Sequence, residues 1–310
     1  MAQVETLTLA ALAIVGLWIL RRSDRGRAVV ASVRGVAPRR RRLRSRWSRG
    51  GVIVAAWVLA VALRLPHATL LLVSFVPPTP WTVAALPPVL GLGNYLALFD
   101  GSARLQPILN SLWMALVATA GALGIGFAAA RLAAGLRGRL GGALQTLVAV
   151  PWVVPGTVFA LALSTTFSVD APHLGRFVLV GTPIILPLAY LVRGLPLTGR
   201  SAIAGLAQLD PALEEAAALL GAGPWRRLTR IVLPMVRPAI VAGASVAFIT
   251  ALGDFVTSIV LYTYDTRPIS IEILSNLRLQ ETGIGAVYGV LLMVLSAVTF
   301  LAWGRERIGA

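Results

Sequence analysis

The sequence predicts an all-α polytopic membrane protein with six core helices and one further helix at the N-terminus. Three observations carry that expectation. Hydrophobic residues make up 57% of the 310-residue chain and charged residues only 13%, with a mean hydropathy of +0.81; soluble domains carry about a quarter charged residues. Apolar runs long enough to cross a bilayer core follow one another at 4–20, 51–75, 107–130, 142–167, 177–193, 238–261 and 284–303. Arginines gather in alternate connections, at 21–50, 131–141, 194–237 and 304–310, whereas 76–106, 168–176 and 262–283 hold few. Positive residues mark the cytoplasmic side, so the pattern predicts an outside N-terminus and a cytoplasmic C-terminus.

The first run is short, with its apolar core at 7–20, and it lacks the leading positive charge of a signal peptide. Twelve of the 28 basic residues then fall between Arg21 and Arg49. Beside apolar segments, such a run faces anionic lipid headgroups, and nucleic acid is not the expected partner of the +16 net charge. Residues 1–50 are therefore set apart as a helix and basic linker, and 51–310 as a single membrane domain. Every basic residue is arginine. A Walker A loop needs its lysine on the β- and γ-phosphates, so ATP hydrolysis of that type is excluded. Cysteine is absent, which removes disulfides and thiolate metal sites.

The second run contains Arg64, Pro66 and His67, which predicts a kink or a partly interfacial position. Arg64 reads as a helix-packing or snorkelling residue ahead of a path residue. Gly138-x3-Gly142 and Gly285-x3-Gly289 read as small-residue packing surfaces. His67 and His173, the only histidines, fit no ligand spacing, and no metal or other cofactor is expected on the chain.

Between two apolar runs lies a polar hairpin at 205–236. Asp210-Pro211 reads as an N-cap followed by proline in the first turn. Helix formers Leu213 to Ala218 follow, with Glu214 and Glu215 near the favourable end of the helix dipole. Gly221-Ala222-Gly223-Pro224 stops the helix, with Gly221 free to take a left-handed cap. Glu215-Ala216-Ala217, Gly221, then nine residues and Ile231-x-Leu233-Pro234 resemble the EAA loop of binding-protein-dependent ABC importer permeases at all seven fixed positions. The resemblance implies the type I importer transmembrane fold. It also implies that Glu215, Ala216, Ala217, Gly221, Ile231, Leu233 and Pro234 form an ATPase-coupling element.

The resemblance extends over 92–302. Asn94-Tyr95 with Leu98-Phe99 is similar to an element that precedes the core helices of such permeases, although alone it also fits an interfacial helix. Asn110-Ser111-Leu112 opens one span, and Pro151 and Pro155 lie inside the next. Gly253-Asp254-Phe255 and the stretch Arg267–Glu272 look most like the iron(III) branch; thiamine, polyamine and phosphonate permeases share much of that pattern. The first helix echoes the last, Trp18 to Arg22 against Trp303 to Arg307. It reads either as the final helix of a preceding permease half or as an ordinary extra helix.

Asp254 is the one acidic residue expected well inside a span. It stands as a candidate translocation-path residue, or as a structural group capped by Thr257 and Ser258. The function implied is a non-catalytic permease subunit in the bacterial inner membrane. Its implied partners are a cytoplasmic ABC ATPase dimer holding ATP and Mg, a second permease half, an extracytoplasmic solute-binding protein and the lipid itself. An ion-coupled secondary transporter would need more intramembrane ionisable groups, and no HExxH or Ser–His pair supports an intramembrane enzyme.

Overall fold

A computed structural model describes residues 46–77, 87, 89–136, 139–168 and 178–304. The expected N-terminal helix at 4–20, most of the basic linker, His173 and Gly138 lie outside these residues. The regular elements among the described residues are all helices: α1 (Arg46–Ser74), α2 (Gly93–Ala97), α3 (Ser102–Gly135), α4 (Arg139–Ala149), α5 (Gly156–Thr166) and α6 (Ile185–Leu206). Then come α7 (Pro211–Leu219), α8 (Pro224–Arg227), α9 (Leu233–Leu252), α10 (Ser258–Leu261), α11 (Ile269–Arg278) and α12 (Thr282–Gly304). A π-helical turn, Leu228–Val232, joins α8 to α9, so that 224–252 is one continuous helical run.

Among the described residues, α1, α3, the run containing α9, and α12 are each long and apolar enough to cross a membrane. The pair α4 and α5 makes a fifth crossing if taken together, but it is bent by 98°. Proline explains the break. Pro151 sits in a 3₁₀ turn (Val150–Trp152), and Pro155 caps α5 in an extended conformation, having no N–H to continue the first helix. The sixth core helix, α6, starts at Ile185 and runs to Leu206. The expected span at 177–193 is therefore displaced: Arg193, Gly194 and Pro196 look like a span terminus in sequence, yet they lie inside one helix. Likewise the expected 238–261 span ends at Leu252, and a turn separates it from α10.

The core is built on α3, α6 and α9, which contact one another more than any other helices. Small residues let the axes approach. A Cβ added to Gly126 of α3 would lie 2.9 Å from the backbone nitrogen of Gly199 in α6, so no side chain fits there. Thr198 of α6 donates its hydroxyl to the Ala122 carbonyl of α3 at 2.7 Å. Met114, Ala118, Leu186, Tyr190 and Leu252 fill the buried cluster between the three helices, and Ala160 of α5 closes it.

By contrast, the apolar stretch of α1 is unburied within the chain. Its last turn is held by α2: Asn94 donates to the carbonyls of Ser74 (3.0 Å) and Val76 (2.7 Å), and the Tyr95 hydroxyl meets Ser74 Oγ at 2.8 Å. The Asn94-Tyr95 element thus acts as a clamp on the end of α1.

Candidate functional site: the hairpin and the buried ion pair

The hairpin is fixed at its root and bare at its tip. Asp210 caps α7, accepting from the Ala212 N–H at 3.1 Å, with Pro211 in the first turn. At the other end Gly221 has φ +82°, the Gly221 N–H donates to Ala218 O (3.0 Å), and the Ala222 N–H donates to Ala217 O (2.9 Å). That pair of bonds is a Schellman cap, which requires a left-handed residue at its centre. The returning arm is rooted in the protein. Val232 and Val236 are fully buried with Ile240, against Leu123 and Phe127 of α3 and Leu206 of α6.

Glu215, Ala216 and Gly221 are exposed, and Ala217 is half-buried. Ile231 is half-buried, Leu233 packs on the Val232 cluster, and Pro234 is exposed at the start of α9. Among the described residues Glu215 has no ion pair; its neighbour Glu214 takes one instead, with Arg131 near the end of α3. The two are 83 positions apart, and no local pattern announces the pair. The tip presents Leu219, Leu220 and Trp225, each at least 74% exposed. Three large apolar side chains around one tight turn are costly to leave in water, which marks the tip as a surface for contact.

Asp254 occupies the turn after α9, outside the helical span where it was expected. Its carboxylate accepts from the Thr257 N–H (2.8 Å) and Thr257 Oγ1 (3.2 Å), and it faces Arg193 Nε at 3.5 Å. Its carbonyl accepts from Ser258 Oγ (2.5 Å) and Ser270 Oγ (2.9 Å). The Tyr190 hydroxyl reaches Ser258 Oγ at 2.6 Å. Asp254 therefore fixes the turn that leads into α10 and binds α6 to it, with its side chain 6% exposed. The guanidinium of Arg193 also lies against Gly156, at the bend between α4 and α5, where there is no room for a Cβ. Sequence reading placed Arg193 at a span edge and missed this pairing, whose members are 61 positions apart. Within the described residues no group of three or more His, Cys, Asp or Glu is placed to hold a metal ion.

A bundle with several helices long and apolar enough to cross a membrane, one proline-broken crossing, an internal ion pair and a projecting helical hairpin is that of a polytopic membrane protein. Residues 122–304 match the family of binding-protein-dependent transport system inner membrane components, and the chain belongs to that family. It is 30% identical to the probable ABC transporter permease protein y4fN of Sinorhizobium fredii, over 87% of this chain and 48% of that protein. It is 33% identical to the ferric transport system permease protein FbpB of Actinobacillus pleuropneumoniae, over 53% of this chain and 24% of that protein. With the sulfate transport system permease protein CysT of Escherichia coli the identity is 31%, over 53% and 62% respectively. The chain thus spans less than two thirds of the length of each of these relatives. The fold is similar to that of a bacterial alginate ABC importer, with a TM-score of 0.66 at 21% identity, covering 85% of this chain and 98% of the other.

Proposed function

We propose that the chain is the permease subunit of an ATP-binding-cassette importer, with the hairpin Pro211–Pro234 as its coupling element. The observation that carries this reading is the bare apolar tip on a rigid root: Leu219, Leu220 and Trp225 around Gly221, above buried Val232 and Val236. A partner ATPase that covers the tip can push on α9 and, through Arg131, on α3, because both arms end in the close-packed core. Glu215, with no ion pair among the described residues, is free to contact that partner. On this reading the chain catalyses nothing, and ATP and Mg belong to the ATPase dimer. The hairpin lies in the cytoplasm, and a second permease half and an extracytoplasmic binding protein complete the assembly.

The solute we propose is iron(III), supported by the Gly253–Glu272 resemblance and by the names of ferric-transport relatives. Sulfate is the second reading, supported by relatives with that name. Gly221→Val tests the coupling role: a β-branched residue at positive φ distorts the turn without meeting any neighbour. The variant is expected to insert normally and to lose ATPase association and transport. Unimpaired uptake would overturn the assignment. Stimulation of ATP hydrolysis in proteoliposomes by iron-loaded, but not sulfate-loaded, binding protein is the expected outcome for the solute.

A further inference from the structure

At the end of the bundle remote from the hairpin, beyond the helical run 224–252, an open cavity of about 660 Å3 lies between α10 and α11. Ile259, Val260, Ile271 and Leu274 contribute apolar wall, while Tyr262, Tyr264, Thr263, Ser275, Arg267 and Arg278 supply polar groups. The lining holds two cations and no carboxylate. Of the nearby acids, Glu272 sits behind Arg267, and Asp265 and Glu281 lie in the adjoining turns without lining the cavity.

Arg267 is fixed from several sides before any ligand arrives. Its Nε faces Glu272 Oε2 at 3.1 Å, close enough for an ion pair though not aligned as a hydrogen bond. Its guanidinium carbon stands 5.1 Å from the ring centroid of Tyr264, a cation–π arrangement. Its carbonyl accepts from Asn110 Nδ2 at 3.1 Å, and the same amide group holds the Asp265 carbonyl at 2.8 Å. Ser111 Oγ accepts from the Ile269 N–H at 2.8 Å, and Thr266 Oγ1 from the Thr263 N–H at 2.9 Å. With Nε turned towards Glu272, the two terminal nitrogens remain, and they form the fork that grips an oxyanion in bidentate fashion. Arg278 is exposed and has no ion pair among the described residues. The cavity lining itself thus carries two positive charges, of which Glu272 offsets one from behind.

We propose that this cavity is an oxyanion site, taking sulfate, phosphate or the phosphate of an anionic lipid headgroup through Arg267 and Arg278, with Tyr262 and Tyr264 hydroxyls as added donors. It goes beyond the importer reading, and its test needs neither ATPase nor binding protein. The full chain in nanodiscs of zwitterionic lipid is titrated with radiolabelled sulfate or phosphate. Saturable binding is expected, weakened about tenfold by Arg267→Gln and several-fold by Arg278→Gln, an exposed position where folding is not at stake. Arg64→Gln removes a cation from a different helix and leaves binding unchanged. Phosphatidylglycerol then separates the sources: if it displaces the label and is retained by wild type but not by Arg267→Gln, the headgroup is the occupant. If sulfate binds equally with phosphatidylglycerol present, the occupant is the free anion. The proposal is overturned if neither anion binds saturably and no anionic lipid is retained through Arg267. Equal binding by wild type and both arginine variants overturns it as well.

Discussion

In its first turns α3 fastens a loop, and in its last turns it fastens a hairpin, and the two attachments differ in kind. At the first end, Asn110 and Gln106 donate to backbone carbonyls of the 265–267 loop, Ser111 accepts a backbone N–H of α11, and Tyr288 of α12 donates to the Arg104 carbonyl. These are short-range bonds, most of them at least part-buried, and they fix the backbone in one geometry. At the other end a side-chain ion pair, Arg131–Glu214, ties α3 to the outgoing arm α7, with Arg131 41% exposed, while the returning arm rests on α3 through apolar contacts of Val232 and Val236 with Leu123 and Phe127. Asn110 and Arg131 are 21 residues apart, about 31 Å of helical rise, which matches the thickness of a bilayer core. One rigid rod thus joins an end built to hold its shape to an end whose tether can be remade. The difference suits a protein in which a partner displaces the hairpin while the opposite cavity keeps its walls.

The largest expected effect lies between the two ends, at the Asp254–Arg193 ion pair. Asp254→Asn leaves the Arg193 guanidinium, 28% exposed, facing an uncharged amide within the bundle. The expected cost is about 3 kcal/mol, read as a lower melting temperature in detergent. Arg193→Met with Asp254→Met in one chain should melt higher than either single variant, because no unpaired charge remains. Strictly additive losses would show that the two groups act separately.

At the anchored end, Asn110→Ala removes the donors to Asp265 O and Arg267 O and leaves both carbonyls without that partner. The expected loss is about 2 kcal/mol. Backbone hydrogen exchange should accelerate across 263–269 and stay unchanged across 211–234. An equal rise at both ends would break the contrast, since it would mean that the rod transmits local loosening along its whole length.

How much of this was legible in the sequence follows from the range of each interaction. The hairpin was legible almost completely, because Asp210, Pro211 and Gly221 act on backbone within a few residues of themselves. The crossings were legible as apolar runs, but their ends were not. Arg193 and Pro196 look like the close of a span, and only the carboxylate of Asp254, from a distant turn, explains an arginine at that depth. Pro151 and Pro155 announced a disturbed helix, yet a bend of 98° depends on what packs around it. Asn94-Tyr95 was visible as a motif, while its task, clasping the end of α1, depends on carbonyls about twenty positions away. Arg267 stood within a stretch read only for its resemblance. Its fixing by Asn110 is a contact across 157 positions that no periodicity encodes.

The smallest expected effect is at the tethered end, and it is the sharpest test of the contrast. Arg131→Gln removes the cation from Glu214, but the pair is partly solvated and water replaces much of what is lost, so the cost should be no more than about 0.5 kcal/mol. The melting temperature should hardly move, because the root of the hairpin is apolar: Val232 and Val236 stay buried whether or not the ion pair forms. Local opening is where the change belongs. Hydrogen exchange across α7 (Pro211–Leu219) should quicken in the variant while 224–252 keeps its protection. Salt gives an independent check, since screening at about 1 M acts on a half-exposed pair within a few ångström of water. The wild type in high salt should then exchange across α7 as the variant does in low salt, and the variant should show no further response. A melting temperature lowered as far as in Asn110→Ala would instead place the hairpin within the rigid core, and the two ends of α3 would no longer differ.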